Sequence, residues 1–221
     1  MTPQLIASLL YLDRRAIGAL RITDPYSLHR VVYSLFADRR SAADKAASTA
    51  SGIVYADLGG DGRGRRIALL SDRPPLATLD GGYGEVRSRR IAADFLTRDR
   101  YRFKVIVNPT RRDSASGKLR PVLGRDGIAA WFAERALASW GFRVVVPALE
   151  VDRVDVLRFQ EKRQHEVTTA HAHVRGELRV EDRARFENSF ACGIGRGRAF
   201  GAGLLQLVPL SGAARAVEEG A

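Results

Sequence analysis

A glycine-rich run at residues 192–210, CGIGRGRAFGAGLLQLVPL, combines residue types that suit a phosphate ligand. Glycines lack a Cβ, so the backbone there can adopt positive φ and bring its N–H groups close to a ligand. Arginine adds bidentate donors for phosphate oxygens. We therefore predict contacts to a phosphate-bearing ligand from Gly193, Gly195, Arg196, Gly197, Arg198 and Gly201. A dinucleotide loop or a Walker loop runs from a strand into a helix, whereas this run leads from a predicted helix into a predicted strand. The run is therefore neither a dinucleotide-binding loop nor a Walker loop. The alternative to a phosphate-binding loop is a glycine-rich turn that binds no ligand.

Tyr26 and His29 form a second chemically capable pair, three residues apart in DPYSLHRVVYSLF. Histidine, with an unperturbed pKa of about 6.5, exchanges a proton near neutrality, whereas tyrosine, at about 10, is a poor base and a better donor. Asp24 and Pro25 predict a helix start, which puts the pair in its opening turns, where the helix dipole favours phosphate and neutral imidazole. Taken alone, the pair also fits a surface histidine and a packing tyrosine.

The composition favours a polyanionic partner. The 221 residues carry a net charge of +11 and a pI of about 10.6, and nearly all of the 36 basic residues are arginine. A basic domain attracts nucleic acid above all. The single cysteine, Cys192, excludes an internal disulfide framework and a zinc ribbon. His171 and His173 share a strand face without a carboxylate or cysteine at ligand spacing, so we predict no metal and no other cofactor.

No long apolar segment and no signal peptide is apparent in the sequence. We therefore expect a cytoplasmic protein with no membrane partner. Two further basic groups are candidate nucleic-acid contacts. Arg158, Lys162 and Arg163 surround the turn FQEKRQH, and Arg111 with Arg112 opens a predicted polar loop over 110–124. A solvated hairpin tip is the alternative for the first group.

The order of predicted elements is βαββαβ, repeated. The first set has strands at 4–12, 52–58, 65–71 and 84–92, a helix over 24–36 and a weakly marked second helix. The second has strands at 101–108, 142–159, 166–180 and 203–209, a helix capped by Asp126 and a helix over 182–191. This order predicts an α+β protein of two tandem ferredoxin-like domains, at 1–96 and 97–211, with a flexible tail at 212–221.

Three segments carry a resemblance to a known family: DPYSLHRVVYSLF at 24–36, YRFKVIVNPTRR at 101–112 and GIGRGRAFGAGLLQLVPL at 193–210. In these segments and their order, the chain resembles the repeat-processing CRISPR RNA endoribonucleases of type I-E (Cascade) systems, within the superfamily of repeat-associated RNA-binding proteins. The resemblance implies metal-independent cleavage of the precursor transcript at the base of each repeat hairpin. It also implies that the product RNA stays bound and enters Cascade with the other subunits.

The same resemblance implies roles for the candidate residues. His29 and Tyr26 would share the proton transfers as the 2′-hydroxyl attacks, leaving a 2′,3′-cyclic phosphate and a 5′-hydroxyl. Which of the two residues acts as the base and which as the acid stays open. A basic hairpin with Arg158, Lys162 and Arg163 would reach the RNA stem, and Arg111 and Arg112 would add phosphate contacts. The rival interpretation is a non-catalytic RNA-binding subunit on the same scaffold.

Overall fold

The computed structural model describes residues 4–41, 43–44, 47, 49–161 and 165–210. The predicted tail at 212–221 and two of the predicted RNA-binding residues, Lys162 and Arg163, lie outside the described residues.

The first sheet is antiparallel, with strand order β2-β3-β1-β4. Its strands are β1 (Ile6–Asp13), β2 (Ile53–Gly60), β3 (Gly64–Ser71) and β4 (Glu85–Arg90). Strand β1 is followed by the helices α1 (Arg14–Ala19) and α2 (Pro25–Ser34). The short α1 was not predicted; Asp13 caps it by accepting a hydrogen bond from the Ala16 backbone N–H at 2.7 Å. In place of the weakly marked second helix, the structure has a three-residue 3-10 turn at Asp80–Gly82.

Helix α2 begins where its sequence predicts. Asp24 accepts a hydrogen bond from the Ser27 backbone N–H at 2.7 Å, and the Ser27 hydroxyl accepts one from the Asp24 N–H at 3.0 Å. This capping box satisfies N–H groups that the first turn leaves unpaired, and Pro25 supplies a suitable φ at the first helical position. The predicted apolar stripe is buried against the first sheet: Leu28, Val31, Val32, Leu35 and Phe36.

The second sheet has strand order β11-β5-β10-β8, with β9 also pairing with β10. Its elements are β5 (Arg100–Val107), α3 (Arg125–Ser139), β8 (Phe142–Val144), β9 (Glu150–Gln160), β10 (Glu166–Val180), α4 (Arg183–Cys192) and β11 (Gln206–Pro209). Between β5 and α3, a small hairpin of β6 (Thr110–Arg112) and β7 (Leu119–Pro121) replaces the predicted polar loop.

Two other details of the second half differ from expectation. The predicted strand over 142–159 is divided by a 3-10 turn at Val146–Ala148, where Pro147 cannot donate a ladder hydrogen bond. Helix α3 starts after Gly124, which adopts φ 74° and gives no side-chain cap, so Asp126 lies inside the first turn rather than capping it.

Both sheets show the strand order of a ferredoxin-like fold, which confirms the predicted α+β class with tandem ferredoxin-like units. The core continues from one sheet to the other. Val54 and Leu70 of the first sheet belong to the same buried cluster as Ile106 and Leu205 of the second half. The two sheets are therefore held together by apolar packing, which fixes the elements around the candidate site.

Candidate active site and RNA-binding surface

Helix α2 places Tyr26, His29 and Tyr33 along one face, as their three- and four-residue spacings require. The ring centroids of Tyr26 and His29 are 6.4 Å apart in a stacked arrangement, and those of His29 and Tyr33 are 4.2 Å apart. The hydroxyl groups of Tyr33 and Ser51 share a hydrogen bond of 2.8 Å, which anchors this row to the segment before β2.

The glycine-rich run forms the wall opposite this row. A 3-10 turn at Arg198–Phe200 puts the Phe200 ring 6.1 Å from His29 and 4.8 Å from Phe159 of β9. His29 therefore lies where α2, the glycine-rich run and β9 meet. Sequence reasoning identified the two segments separately and assigned them separate tasks, whereas the fold brings them into contact.

Burial controls the protonation of His29. Desolvation lowers the pKa of His29 below 6.5, and Arg40 adds a smaller effect in the same direction; the Ala199 carbonyl and Glu161 oppose it by favouring the charged ring. Nδ1 is enclosed and has no hydrogen-bond partner among the described residues. The ring is therefore mainly neutral at pH 7, and one of its nitrogens is not engaged by the described part of the protein.

The start of α2 is not an open anion site. The Asp24 carboxylate already caps the first turn and places negative charge where phosphate was expected to bind. Positive charge for an RNA phosphate must therefore come from side chains around His29. This corrects the expectation that the helix dipole would attract the phosphate.

The glycines of the run serve different purposes. At Gly193, with φ 74°, an added Cβ would lie 2.8 Å from a methyl group of Val54, and at Gly201, with φ 86°, it would lie 3.3 Å from the Tyr55 ring. Gly195 also has positive φ, 71°, but faces open space. Next to Gly201, the Tyr55 hydroxyl donates to the Ala199 carbonyl at 2.7 Å. Gly193 and Gly201 thus allow the run to pack closely against the first sheet.

These two kinds of glycine provide a stability prediction. We expect Gly193→Ala to have an unfolding free energy about 2 kcal/mol lower than Gly195→Ala, because only the first adds a clash with Val54 to the shared cost of positive φ. Urea unfolding of the two variants measures the difference. Equal losses would show that the contact between Gly193 and Val54 does not limit packing.

Arginines line a cleft beside this wall. The cleft has a volume of about 680 Å³, and Tyr33 and Phe200 contribute to it together with four arginines: Arg40, Arg135, Arg196 and Arg198. Arg198 donates to the Cys192 carbonyl at 3.2 Å, so it also stabilises the C-terminal end of α4. The guanidinium of Arg196 has no partner within the described ranges, and its backbone bridges to Asn108 of the second half. Sequence reasoning missed Arg40 and Arg135, because neither lies in a recognisable motif.

The other predicted RNA contacts lie apart from this cleft. Arg111 pairs with Glu134 at 2.7 Å, and Arg112 donates to the Gly117 carbonyl of its own hairpin. Arg158 is exposed on the face of β9 opposite Phe159, since successive strand residues point to opposite sides. Contacts between the described residues do not join these three arginines to His29. They lie on surfaces away from the candidate active site, so only an RNA that extends beyond this site would contact them.

Within the described ranges, no group of three or more His, Cys, Asp or Glu side chains is placed to hold a metal ion. His173 instead pairs with Asp155 at 3.2 Å, and His171 is buried beside it. No helix in the described part of the chain is both long enough and apolar enough to span a membrane.

Fold and site together define a tandem ferredoxin-like protein with a histidine–tyrosine helix facing an arginine-lined cleft. The chain belongs to the family of CRISPR-associated proteins, whose model, described as CRISPR associated protein, matches residues 7–209. The CRISPR-associated endoribonuclease Cse3 of Thermus thermophilus is 30% identical over 146 residues, covering 62% of this chain and 69% of the relative.

Solved structures show the same fold. CRISPR endoribonuclease Cse3 bound to a 19-nucleotide RNA matches with a TM-score of 0.76 and 22% identity, over 93% of this chain and 100% of that chain. A chain of a CRISPR RNA-guided surveillance complex matches with a TM-score of 0.61 and 20% identity, over 93% and 100% of the two chains. The comparisons confirm the family resemblance predicted from the three sequence segments, and they support endoribonuclease activity.

Proposed function

We propose that this protein is a metal-independent endoribonuclease that cuts CRISPR precursor RNA at the base of the repeat hairpin by attack of a 2′-hydroxyl. The products would carry a 2′,3′-cyclic phosphate and a 5′-hydroxyl. The protein would then stay with the mature crRNA as a subunit of the Cascade surveillance complex, in the cytoplasm. One observation carries the proposal: α2 presents Tyr26 with a His29 whose pKa is lowered by burial, beside an arginine-lined cleft.

His29 is best suited to be the general base. A base must be unprotonated to accept the 2′-hydroxyl proton, and burial keeps the imidazole mainly neutral at pH 7. An acid with the same lowered pKa would be mostly deprotonated before the reaction started. The structure thus favours His29 as the base and Tyr26 as the acid, an assignment that the sequence leaves open.

Tyr26 would then be the donor to the leaving 5′-oxygen. Its phenol is an O–H donor that is half-buried on the same helix face as His29, with their rings 6.4 Å apart. A donor held on the same rigid helix as the base keeps both groups at a fixed separation. We propose that Tyr26 donates a hydrogen bond or a proton to the oxygen that leaves.

Arg40 and Arg196 are the described cations best placed to stabilise charge on the phosphate. The charge of Arg40 reaches His29 and affects its pKa, and both arginines line the cleft beside Phe200. Cationic donors that face a developing phosphorane stabilise it more than the ground state. The predicted hairpin residues Arg158, Lys162 and Arg163, with Arg111 and Arg112, remain proposed contacts to the RNA stem.

Retention of the product follows from how an RNA hairpin is recognised. The major groove of an A-form stem is deep and narrow, so binding relies on phosphates, shape and unpaired flanks. Such contacts are little changed by cleavage of one bond. Gly193 and Gly201 let the backbone of the loop come close to its neighbours, Gly195 and Gly197 remain proposed RNA contacts, and Arg196 and Arg198 bind the RNA backbone.

A cleavage assay with two RNAs tests this function. We expect the cognate repeat RNA to be cut in EDTA, and the same RNA with one 2′-deoxy substitution at the scissile nucleotide to bind normally and remain intact. A non-catalytic RNA-binding subunit would cut neither RNA. Cleavage of the 2′-deoxy RNA, a requirement for Mg²⁺, or a 3′-hydroxyl on the upstream product would contradict the proposed chemistry.

A further inference from the structure

The second sheet has an open face, away from its helices, that is strongly basic. In β5, Tyr101, Phe103 and Val105 are buried in the core with residues of α3 and α4. The alternate residues Arg100, Arg102 and Lys104 are exposed, because successive side chains of a strand point to opposite faces. This strand therefore carries a row of three cations on its open side.

Neighbouring strands widen this row, since directly paired residues of an antiparallel sheet share a face. Lys104 pairs with Arg175 of β10 and Gln206 of β11. Arg100 pairs with Arg179, and Arg102 pairs with Glu177 and with Val208, which is 60% exposed. The open face of the second sheet is thus a field of basic side chains with an apolar side chain at its edge.

The open face of the first sheet carries an aromatic residue among arginines. Leu9 and Tyr11 of β1 alternate with the fully buried Leu10 and Leu12, and they are 38% and 37% exposed. Tyr11 pairs across the sheet with Arg66 and Glu85, and Leu9 pairs with Ala68 and Arg87. Glu85 forms an ion pair with Arg87. The Tyr11 hydroxyl donates to the Arg63 carbonyl at 3.2 Å, which holds the ring in place.

These two open faces meet at a cleft beside β2, and we call that cleft, together with the two open faces, the inter-sheet groove. This cleft, of about 460 Å³, is lined by Lys104, Arg153 and Arg175 on one side and by Leu58 on the other. A second cleft of about 430 Å³ is lined by Arg89 and Arg90, among others. Gln206 borders both clefts at the edge strand β11; the second cleft also reaches Phe95 and Phe190, on the helix side of the second sheet. Helix α2 packs on the opposite face of the first sheet, so the groove is separate from the candidate active site.

The acidic side chains in the groove are already paired with arginines, although Glu150 and Asp152 share one. Asp57 pairs with Arg65, Asp152 and Glu150 pair with Arg175, and Glu177 pairs with Arg100 at 3.1 Å. The side chains of four exposed cations instead make no hydrogen bond or ion pair with any residue that the structure describes: Arg66, Arg102, Lys104 and Arg179. The groove thus has an excess of positive charge available for an external polyanion.

The mixture of side chains selects the kind of polyanion. A basic groove with an exposed aromatic ring is how single-stranded nucleic acids are held, with the cations on phosphates and the ring stacked on a base. A paired stem hides the faces of its bases and would leave Tyr11 without a partner. Extended single-stranded RNA uses the cations, the apolar edges and the aromatic ring together.

We propose that the inter-sheet groove is a second RNA site, which binds the unpaired RNA that flanks the repeat hairpin in the precursor. The identity of that strand rests on the proposed function, but single-strand binding does not require cleavage. A protein with hairpin and single-strand sites on opposite faces would hold the crRNA at two places after cutting it.

A binding assay with a labelled oligouridylate of about 12 nucleotides tests the groove without any hairpin or cleavage. We expect Arg102→Ala with Lys104→Ala to weaken binding at least tenfold. The slope of log K against log salt should become less negative by about 1.4, because each lost phosphate contact contributes about 0.7. Tyr11→Ala should weaken binding about tenfold without changing the slope, whereas Tyr11→Phe, which keeps the ring, should bind normally.

The matched control is Arg143→Ala with Arg185→Ala. These exposed arginines pair with Glu181 and Asp182 beyond the groove, and their loss removes the same net charge. The control should bind oligouridylate as the parent protein does, and the groove variant should still cut a minimal hairpin. Equal binding by the groove and control variants would overturn the proposal. So would a groove variant that keeps single-strand binding but loses cleavage of the hairpin. A failure of the cleavage proposal would leave the oligouridylate result unaffected.

Discussion

His29→Ala is expected to slow cleavage of the repeat RNA by about 10²–10⁴-fold, the usual contribution of a general base, while RNA binding stays within about twofold of the parent protein. Binding is retained because His29 is half-buried behind the surface that carries the arginines, and its ring contacts are with Tyr26, Tyr33 and Phe200. Single-turnover rates with saturating protein measure the cleavage step directly. Ser34→Ala, an exposed change on the same helix, is the control and should cut at the parent rate.

The pH dependence of the same rate tests which role His29 has. If the neutral ring is the base, the rate falls as the pH drops through the pKa of His29, and the midpoint of that fall lies below pH 6.5 because burial lowers the pKa. An acid role would require the protonated ring, and the rate would fall as the pH rises through that same lowered pKa. A rate that rises steadily as the pH drops below 6.5 would therefore exclude His29 as the base.

Local signals predicted the elements that carry the chemistry. Asp24, Pro25 and Ser27 define the start of α2 through hydrogen bonds within a single turn, so the positions of Tyr26 and His29 followed from the sequence alone. Helix α1 was missed because a six-residue segment has too few positions to show a helical period. The interruption at Pro147 had a visible signal, since proline disfavours the interior of a paired strand.

The assembled site depends on contacts between distant parts of the chain. Nothing within the glycine-rich run indicates that Phe200 contacts His29, or that Gly193 faces Val54 while Gly195 faces open space. In sequence the two glycines look equivalent; only the packing of the run against the first sheet distinguishes them. Arg40 likewise becomes a candidate only when the fold places it beside His29.

His171 should make the protein markedly less stable in mild acid. It is 7% exposed, and burial, with a smaller contribution from His173, lowers its pKa to about 4, against the opposing effects of Asp155 and Asp57. In the unfolded chain the pKa of a histidine is about 6.5, so the unfolded state binds more protons between pH 6.5 and 4. The stabilising contribution of the neutral ring is thus complete above pH 6.5 and is lost as the pH falls through this window.

Integrated over the window, the loss amounts to about 3 kcal/mol of unfolding free energy. Urea unfolding at a series of pH values measures it. His171→Gln, which cannot take up a proton, should show a shallower decline than the parent, although the lowered pKa values of His29 and His173 keep some slope in the same direction. His165→Gln, at an exposed position, is the matched control and should decline as the parent does. Parallel curves for the parent and His171→Gln would mean that His171 is not held neutral in the folded protein, and that its buried position admits the charge of the protonated ring.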